Sequence, residues 1–186
     1  MRKIRSLIFA ALLAVGNAAF GADGYSFEAG HSNSSTANAN LYRLGVQWDW
    51  NRRLLELGDW HVGGFWDLSL GYWSNNSPYQ TNGYAVSGLG DIGLTPTFRL
   101  QPNTRSGITP YGEVAIGFHF LSKTYLGEQR QFGTSFQFGD HIGAGVRFGD
   151  KGQYDIGYRY QHLSNGDLKA PNQGINYNIL RLQYRY

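Results

Sequence analysis

The chain has 186 residues, 16 of them Lys or Arg and 13 Asp or Glu, with no Cys and a formal net charge of +3. That length suits one domain, and the missing Cys excludes a disulfide framework. The net charge comes from the three basic residues Arg2, Lys3 and Arg5, so beyond residue 21 the chain holds 13 basic and 13 acidic residues, which gives no case for a nucleic-acid partner.

In chain order, "MRKIRSLIFAALLAVGNAAFGADG" comes first. A basic start, a short apolar stretch over 6–15 and the small-residue pattern Ala19-Phe20-Gly21 predict a secretory signal peptide over 1–21. The apolar run is about half of the roughly 20 residues that a membrane-spanning helix needs. The mature domain is then 22–186. Aromatic residues make up 16% of the chain and Gly accounts for 26 residues, a pairing that suits a closed barrel with aromatic belts and close-packed strand bends.

Strict alternation follows. In "DWHVGGFWDLSLGYW", Trp60, Val62, Gly64, Trp66, Leu68, Leu70 and Tyr72 share one parity, while Asp59, His61, Phe65, Asp67 and Ser69 fall on the other. A period of two sends these sets to opposite faces of a strand. Apolar outside with charge inside predicts an all-β fold, an eight-stranded antiparallel transmembrane β-barrel. Its strands are expected at about 23–31, 40–50, 58–73, 84–100, 109–121, 132–148, 152–164 and 174–186. An even strand count after an exported N-terminus puts both ends on the periplasmic side and the more polar links outside the cell. Eight strands leave an interior that side chains fill, so no pore is expected. The parity puts His61, His119 and His141 inward among Asp59, Asp67, Glu113 and Arg147 as an interior network, with no metal-ligand spacing. His31 falls at the start of a loop.

Strand seven, "GQYDIGYRYQHLSN", carries the chemistry. Tyr154, Ile156, Tyr158, Tyr160, His162 and Ser164 share the outward parity, and residues two apart lie roughly 6.5–7 Å from each other. An ionisable group facing lipid is costly without a function or a place at the headgroup boundary. Strand eight, "NYNILRLQYRY", puts Asn176, Asn178, Leu180, Leu182, Tyr184 and Tyr186 on its outward face, so His162, Ser164 and Asn176 are expected to converge on one exterior patch. No G-x-S-x-G occurs, which excludes the soluble α/β-hydrolase route.

The stretch "HLSNGDLKAPNQGIN" resembles the signature of the PagL family of outer-membrane lipid A 3-O-deacylases: His162, Ser164, Asn165, Lys169, Pro171, Asn172 and Gly174 fit it, and the chain's C-terminal aromatic extends the likeness. The resemblance implies a serine esterase in the Gram-negative outer membrane, with its active site facing the outer leaflet and the ester-linked 3-hydroxyacyl chain at position 3 of lipid A as substrate. It implies Ser164 as nucleophile, His162 as general base, Asn165 with the backbone N–H of Gly166 as oxyanion donors, and no metal or organic cofactor. Lys169, with Lys123 and Arg130, is a candidate contact for phosphates or sugars of lipopolysaccharide, and a homodimer is left open. The family's orienting Glu falls at position 176, where this chain has Asn176. An amide oxygen can hold an imidazole but brings no negative charge. Three outcomes are open: Asn176 orients His162 in a differently tuned enzyme, Asp167 or Glu128 supplies the acid, or the site is inactive. The alternatives in other classes are a non-enzymatic barrel serving adhesion or membrane integrity, and an outer-membrane phospholipase.

Overall fold

The fold, taken from a computed structural model, is described for residues 21–34, 37–76, 88–104, 106–127 and 130–186. The expected signal segment, apart from Gly21, and Glu128 lie outside these residues. Among the described residues eleven strands follow in order: β1 Gly24–Ser34, β2 Ala37–Asp49, β3 Leu55–Leu57, β4 Trp60–Asn75, β5 Gly88–Pro102, β6 Thr109–Leu121, β7 Tyr125–Gly127, β8 Arg130–Gln131, β9 Phe136–Phe148, β10 Tyr154–Ser164 and β11 Ile175–Arg185. Eight of them (β1, β2, β4, β5, β6, β9, β10 and β11) form one antiparallel sheet. It closes on itself because β1 pairs with β11 and β2 pairs with β4. Closure satisfies the backbone along each strand, which a chain surrounded by lipid requires.

Alternation sets the two faces as expected. Tyr25, Phe27, Leu44, Trp66, Ile92, Ile116, Ile142, Tyr158 and Leu182 are exposed on the outer wall. The lumen is a fused ion-pair network: Arg99 reaches Glu113 and Asp155, both at 2.7 Å, Arg159 reaches Glu113 at 2.5 Å and Glu28 at 2.6 Å, and Arg43 joins Glu28 at 2.8 Å to Asp91 at 3.0 Å. Such charges are tolerable in a dry interior only because each has several partners. The inward histidines join it in their own ways. His119 Nδ1 lies 2.9 Å from Asp91 and His141 Nε2 lies 3.6 Å from Glu113, while His61 pairs with Asn103 rather than a carboxylate. Asp59 is exposed and takes no part in the lumen, unlike the parity reading, because it precedes β4 in a turn.

Three features depart from the sequence reading. β1 and β2 run on through "SNSSTANA" and take up most of the expected loop, since polar residues pair as readily as apolar ones once the strands leave the lipid. The loop end of the lumen is not polar: Leu41, Trp73, Leu89, Leu121, Leu163, Tyr177 and Ile179 pack there into an apolar plug, joined by Leu126 and Phe132 from outside the barrel strands. The link between β6 and β9 is a small β7–β8 hairpin, and it folds over the chain that follows β10.

Candidate active site

The site grows from the β10–β11 pair. Their register puts His162 directly opposite Asn176, and both side chains leave the outer wall. His162 Nδ1 donates to Asn176 Oδ1 at 2.5 Å. With its proton on Nδ1, the neutral ring presents Nε2 as an acceptor. Ser164, two residues on, shares the outward parity and is half-buried. The three residues expected to converge therefore share one stretch of wall.

Gly174 supplies the backing. Its φ is +57°, and a Cβ there would lie 2.9 Å from His162 Cε1 and 3.1 Å from the Leu163 carbonyl oxygen. Only a residue without a side chain lets the backbone approach the imidazole so closely.

The segment between β10 and β11 is tied down rather than loose. Asn165 is fully buried, and its Nδ2 donates to the carbonyls of Phe132 at 2.7 Å and Lys169 at 2.6 Å. Its backbone N–H donates to Asn172 Oδ1 at 2.9 Å. With both amide hydrogens committed, the Asn165 side chain anchors the loop instead of reaching toward Ser164 as an oxyanion donor. Motif spacing alone could not separate these two uses of one amide. Gly166 follows at φ +62°, a left-handed turn that redirects the chain just past the serine. Asp167 accepts from Asn172 Nδ2 at 2.9 Å, so its carboxylate braces the loop and does not serve His162. Lys169 is exposed, and Lys123 donates to the Gly88 carbonyl at 3.4 Å. Arg130, on β8, donates to the carbonyls of Gln173, at 2.7 Å, and Gly174. The hairpin thus grips the segment that leads into the strand carrying Asn176.

A cavity of about 220 Å³ opens beside the imidazole, walled by Arg130, Tyr160, His162, Gly174, Asn176 and Asn178. On the other side of β10 stands a residue that single-strand reading missed. Asp140 of β9 is the register partner of His162 and is exposed on the outer wall. Its outward parity was legible in "FQFGDHIGAGVRF", but its place opposite the histidine depends on the register between two strands.

The arrangement offers a hydroxyl, a base with an oriented ring, a neutral orienting amide and a nearby carboxylate, all facing lipid. Known proteins share similarity with this sequence and this fold. Residues 40–185 match the family model described as lipid A 3-O-deacylase (PagL). The lipid A deacylase PagL of Pseudomonas aeruginosa is 35% identical over 134 residues, covering 72% of this chain and 71% of that protein. The lipid A deacylase PagL of Bordetella bronchiseptica is 42% identical over 76 residues, 41% of this chain and 40% of that one. The crystal structure of the outer membrane enzyme PagL superposes with a TM-score of 0.73 at 28% identity, covering 88% of this chain and 99% of that one. Neisserial surface protein A shares the fold alone, with a TM-score of 0.51 at 12% identity over 88% of this chain and 95% of that one.

Proposed function

The chain belongs to the lipid A 3-O-deacylase (PagL) family, and we propose that it is a serine esterase of the Gram-negative outer membrane, exported by residues 1–21, that releases the 3-hydroxyacyl chain from position 3 of lipid A in the outer leaflet. The observation that carries this reading is the outward His162–Asn176 hydrogen bond beside Ser164. A serine hydroxyl becomes a competent nucleophile only when a base takes its proton. His162 Nε2 takes the proton as Ser164 Oγ attacks the ester carbonyl. The tetrahedral intermediate collapses, the carbon–oxygen bond to the sugar breaks, and the imidazolium returns its proton to the leaving sugar oxygen. Water, deprotonated by the same nitrogen, then releases a 3-hydroxy fatty acid and restores Ser164. The backbone N–H of Gly166 is the oxyanion donor in this scheme, a role typically contributing about 10²–10³ in rate. Lys169, exposed in the same loop, meets substrate phosphates in this scheme.

Asn176 orients the ring without charge, and the charge comes from Asp140. Cross-strand partners have Cβ atoms about 4.5–5.5 Å apart, which suits a through-space effect on the imidazolium. Mass spectrometry of lipid A from a Gram-negative host expressing the protein tests the reading. A species lighter by one 3-hydroxyacyl chain, absent with Ser164→Ala, is expected. Unchanged lipid A would favour the non-enzymatic barrel, and lysophospholipids in its place would favour a phospholipase.

A further inference from the structure

We infer that a row of outward polar side chains running away from His162 is a subsite for the sugar headgroup of the substrate, an inference that rests on the lipid A reading above. The row is defined by register. Tyr160 pairs with Asn178, Asn178 with His31, His31 with Asn40 and Asn40 with Ser74, so five outward residues line up across β10, β11, β1, β2 and β4. His31 therefore lies in a strand and on the outer wall, not in a loop as the sequence reading had it.

Two hydrogen bonds organise the row. His31 Nδ1 donates to Asn40 Oδ1 at 2.8 Å, the same ring-to-amide arrangement as His162 on Asn176. Tyr158 donates its hydroxyl to Asn178 Oδ1 at 2.5 Å. With their amide oxygens accepting, Asn178 and Asn40 present Nδ2 donors, and the His31 ring presents Nε2 as an acceptor. Short amides and an imidazole, with no fixed charge among the five, suit hydroxyls and amides on a sugar ring. Asn178 and Tyr160 also line the cavity beside His162, so the row begins at the reacting centre.

The contrast with neighbouring rows gives the subsite its direction. Two residues below it, the corresponding partners are Tyr158, Leu180, Ala29, Tyr42 and Tyr72, an apolar and aromatic line. On the other side of β10, Ser164 pairs with Phe138, Phe138 with Phe118 and Phe118 with Leu94. The rings of Phe118, Phe136 and Phe138 cluster there with centroids 4.9–6.3 Å apart. Ser164 thus stands where a polar row meets an aromatic patch. An ester joining a sugar to an acyl chain fits that junction, with the sugar over β11, β1 and β2 and the departing chain over β9 and β6. A headgroup boundary alone does not account for the row. Strands in such barrels tilt by roughly 35–45°, so a line of register partners cuts across membrane depth instead of following it.

The test separates binding from turnover by working in the Ser164→Ala background. Detergent-solubilised barrels carrying S164A alone, or with N178L or H31L or both, are titrated with lipid A and, separately, with phosphatidylglycerol; heat-dependent gel mobility confirms that each barrel is folded. The double substitution is expected to weaken lipid A binding by about tenfold or more, the worth of one or two lost hydrogen bonds, and to leave the phospholipid nearly unaffected. Asn178→Gln, which keeps the amide, is expected to retain most of the affinity and covers the case in which the leucine variants fail to fold. Equal loss for both lipids, or no loss for either, overturns the subsite. Because S164A cannot turn over, absence of deacylation in the wild type would overturn the esterase reading separately.

Discussion

The barrel handles histidine in two ways, and the contrast separates structure from chemistry. In the lumen, His119 meets Asp91 at 2.9 Å and His141 meets Glu113 at 3.6 Å, each inside a network whose carboxylates also hold arginines. On the outer wall, His162 meets a neutral amide, Asn176, and stands over a cavity beside a serine. The inner rings are braced by charges that are themselves fully engaged. The outer ring is oriented but not neutralised, and its far nitrogen faces a place where a substrate can come. Burial against a carboxylate that also holds an arginine marks a structural histidine here, whereas the outer ring has an amide partner and open space beside it.

The sharpest way to break the contrast is to delete on each side. Ser164→Ala or His162→Ala is expected to lower kcat by about 10⁴-fold or more, as for catalytic residues that act as one unit, with the barrel still folded. Lipid A mass spectra and gel mobility read the two effects together. Glu113→Gln is expected to do the reverse. Glu113 receives Arg99 and Arg159, and breaking such a buried network costs about 3–5 kcal/mol. Its unfolding midpoint in denaturant should fall while the folded fraction keeps kcat within about twofold, since a surface patch outside the wall does not depend on that charge. If Glu113→Gln abolished turnover in folded protein, lumen and wall would not be separate systems.

A smaller effect sharpens the geometry of the outer site. Gly174→Ala adds a Cβ 2.9 Å from the His162 ring at a φ of +57°. The imidazole or the strand must move, and a shift approaching 1 Å is expected to lower kcat by about 10–100-fold. Gly30→Ala on β1 is the control: its Cβ would lie 2.9 Å from Ile179 and 3.5 Å from Leu41 of the apolar plug, so it crowds the lumen without touching the His162 ring and should spare kcat.

Much of this was legible in the sequence because a strand has a period of two. Parity alone put His162, Ser164 and Asn176 outside and His119, His141 and Glu113 inside, and both hold in the fold. What parity does not contain is register. Asp140 sat in an expected strand with the correct facing, yet nothing in "FQFGDHIGAGVRF" tells which residue of β10 it opposes. The polar row through Asn178, His31 and Asn40 was hidden for the same reason, being a property of five strands together. The buried clamp at Asn165 was hidden because one amide can serve an oxyanion or two carbonyls, and the choice depends on where the fold brings the Phe132 and Lys169 carbonyls.

The smallest expected effect asks where the outer site finds negative charge. If Asp140 supplies it, Asp140→Asn should lower kcat by only about three- to tenfold, because an exposed carboxylate acting across strands is weakened by solvent and salt. Asn176→Glu adds charge at the orienting position itself, and in a wild-type background its gain should be modest, since a carboxylate already stands on the other flank of the ring. In the Asp140→Asn background the same substitution should gain more, restoring at least what was lost. That non-additivity is the signature of two groups acting on one imidazole. A merely structural Asp140 would lose activity equally in both backgrounds, and Asn176→Glu would then rescue nothing.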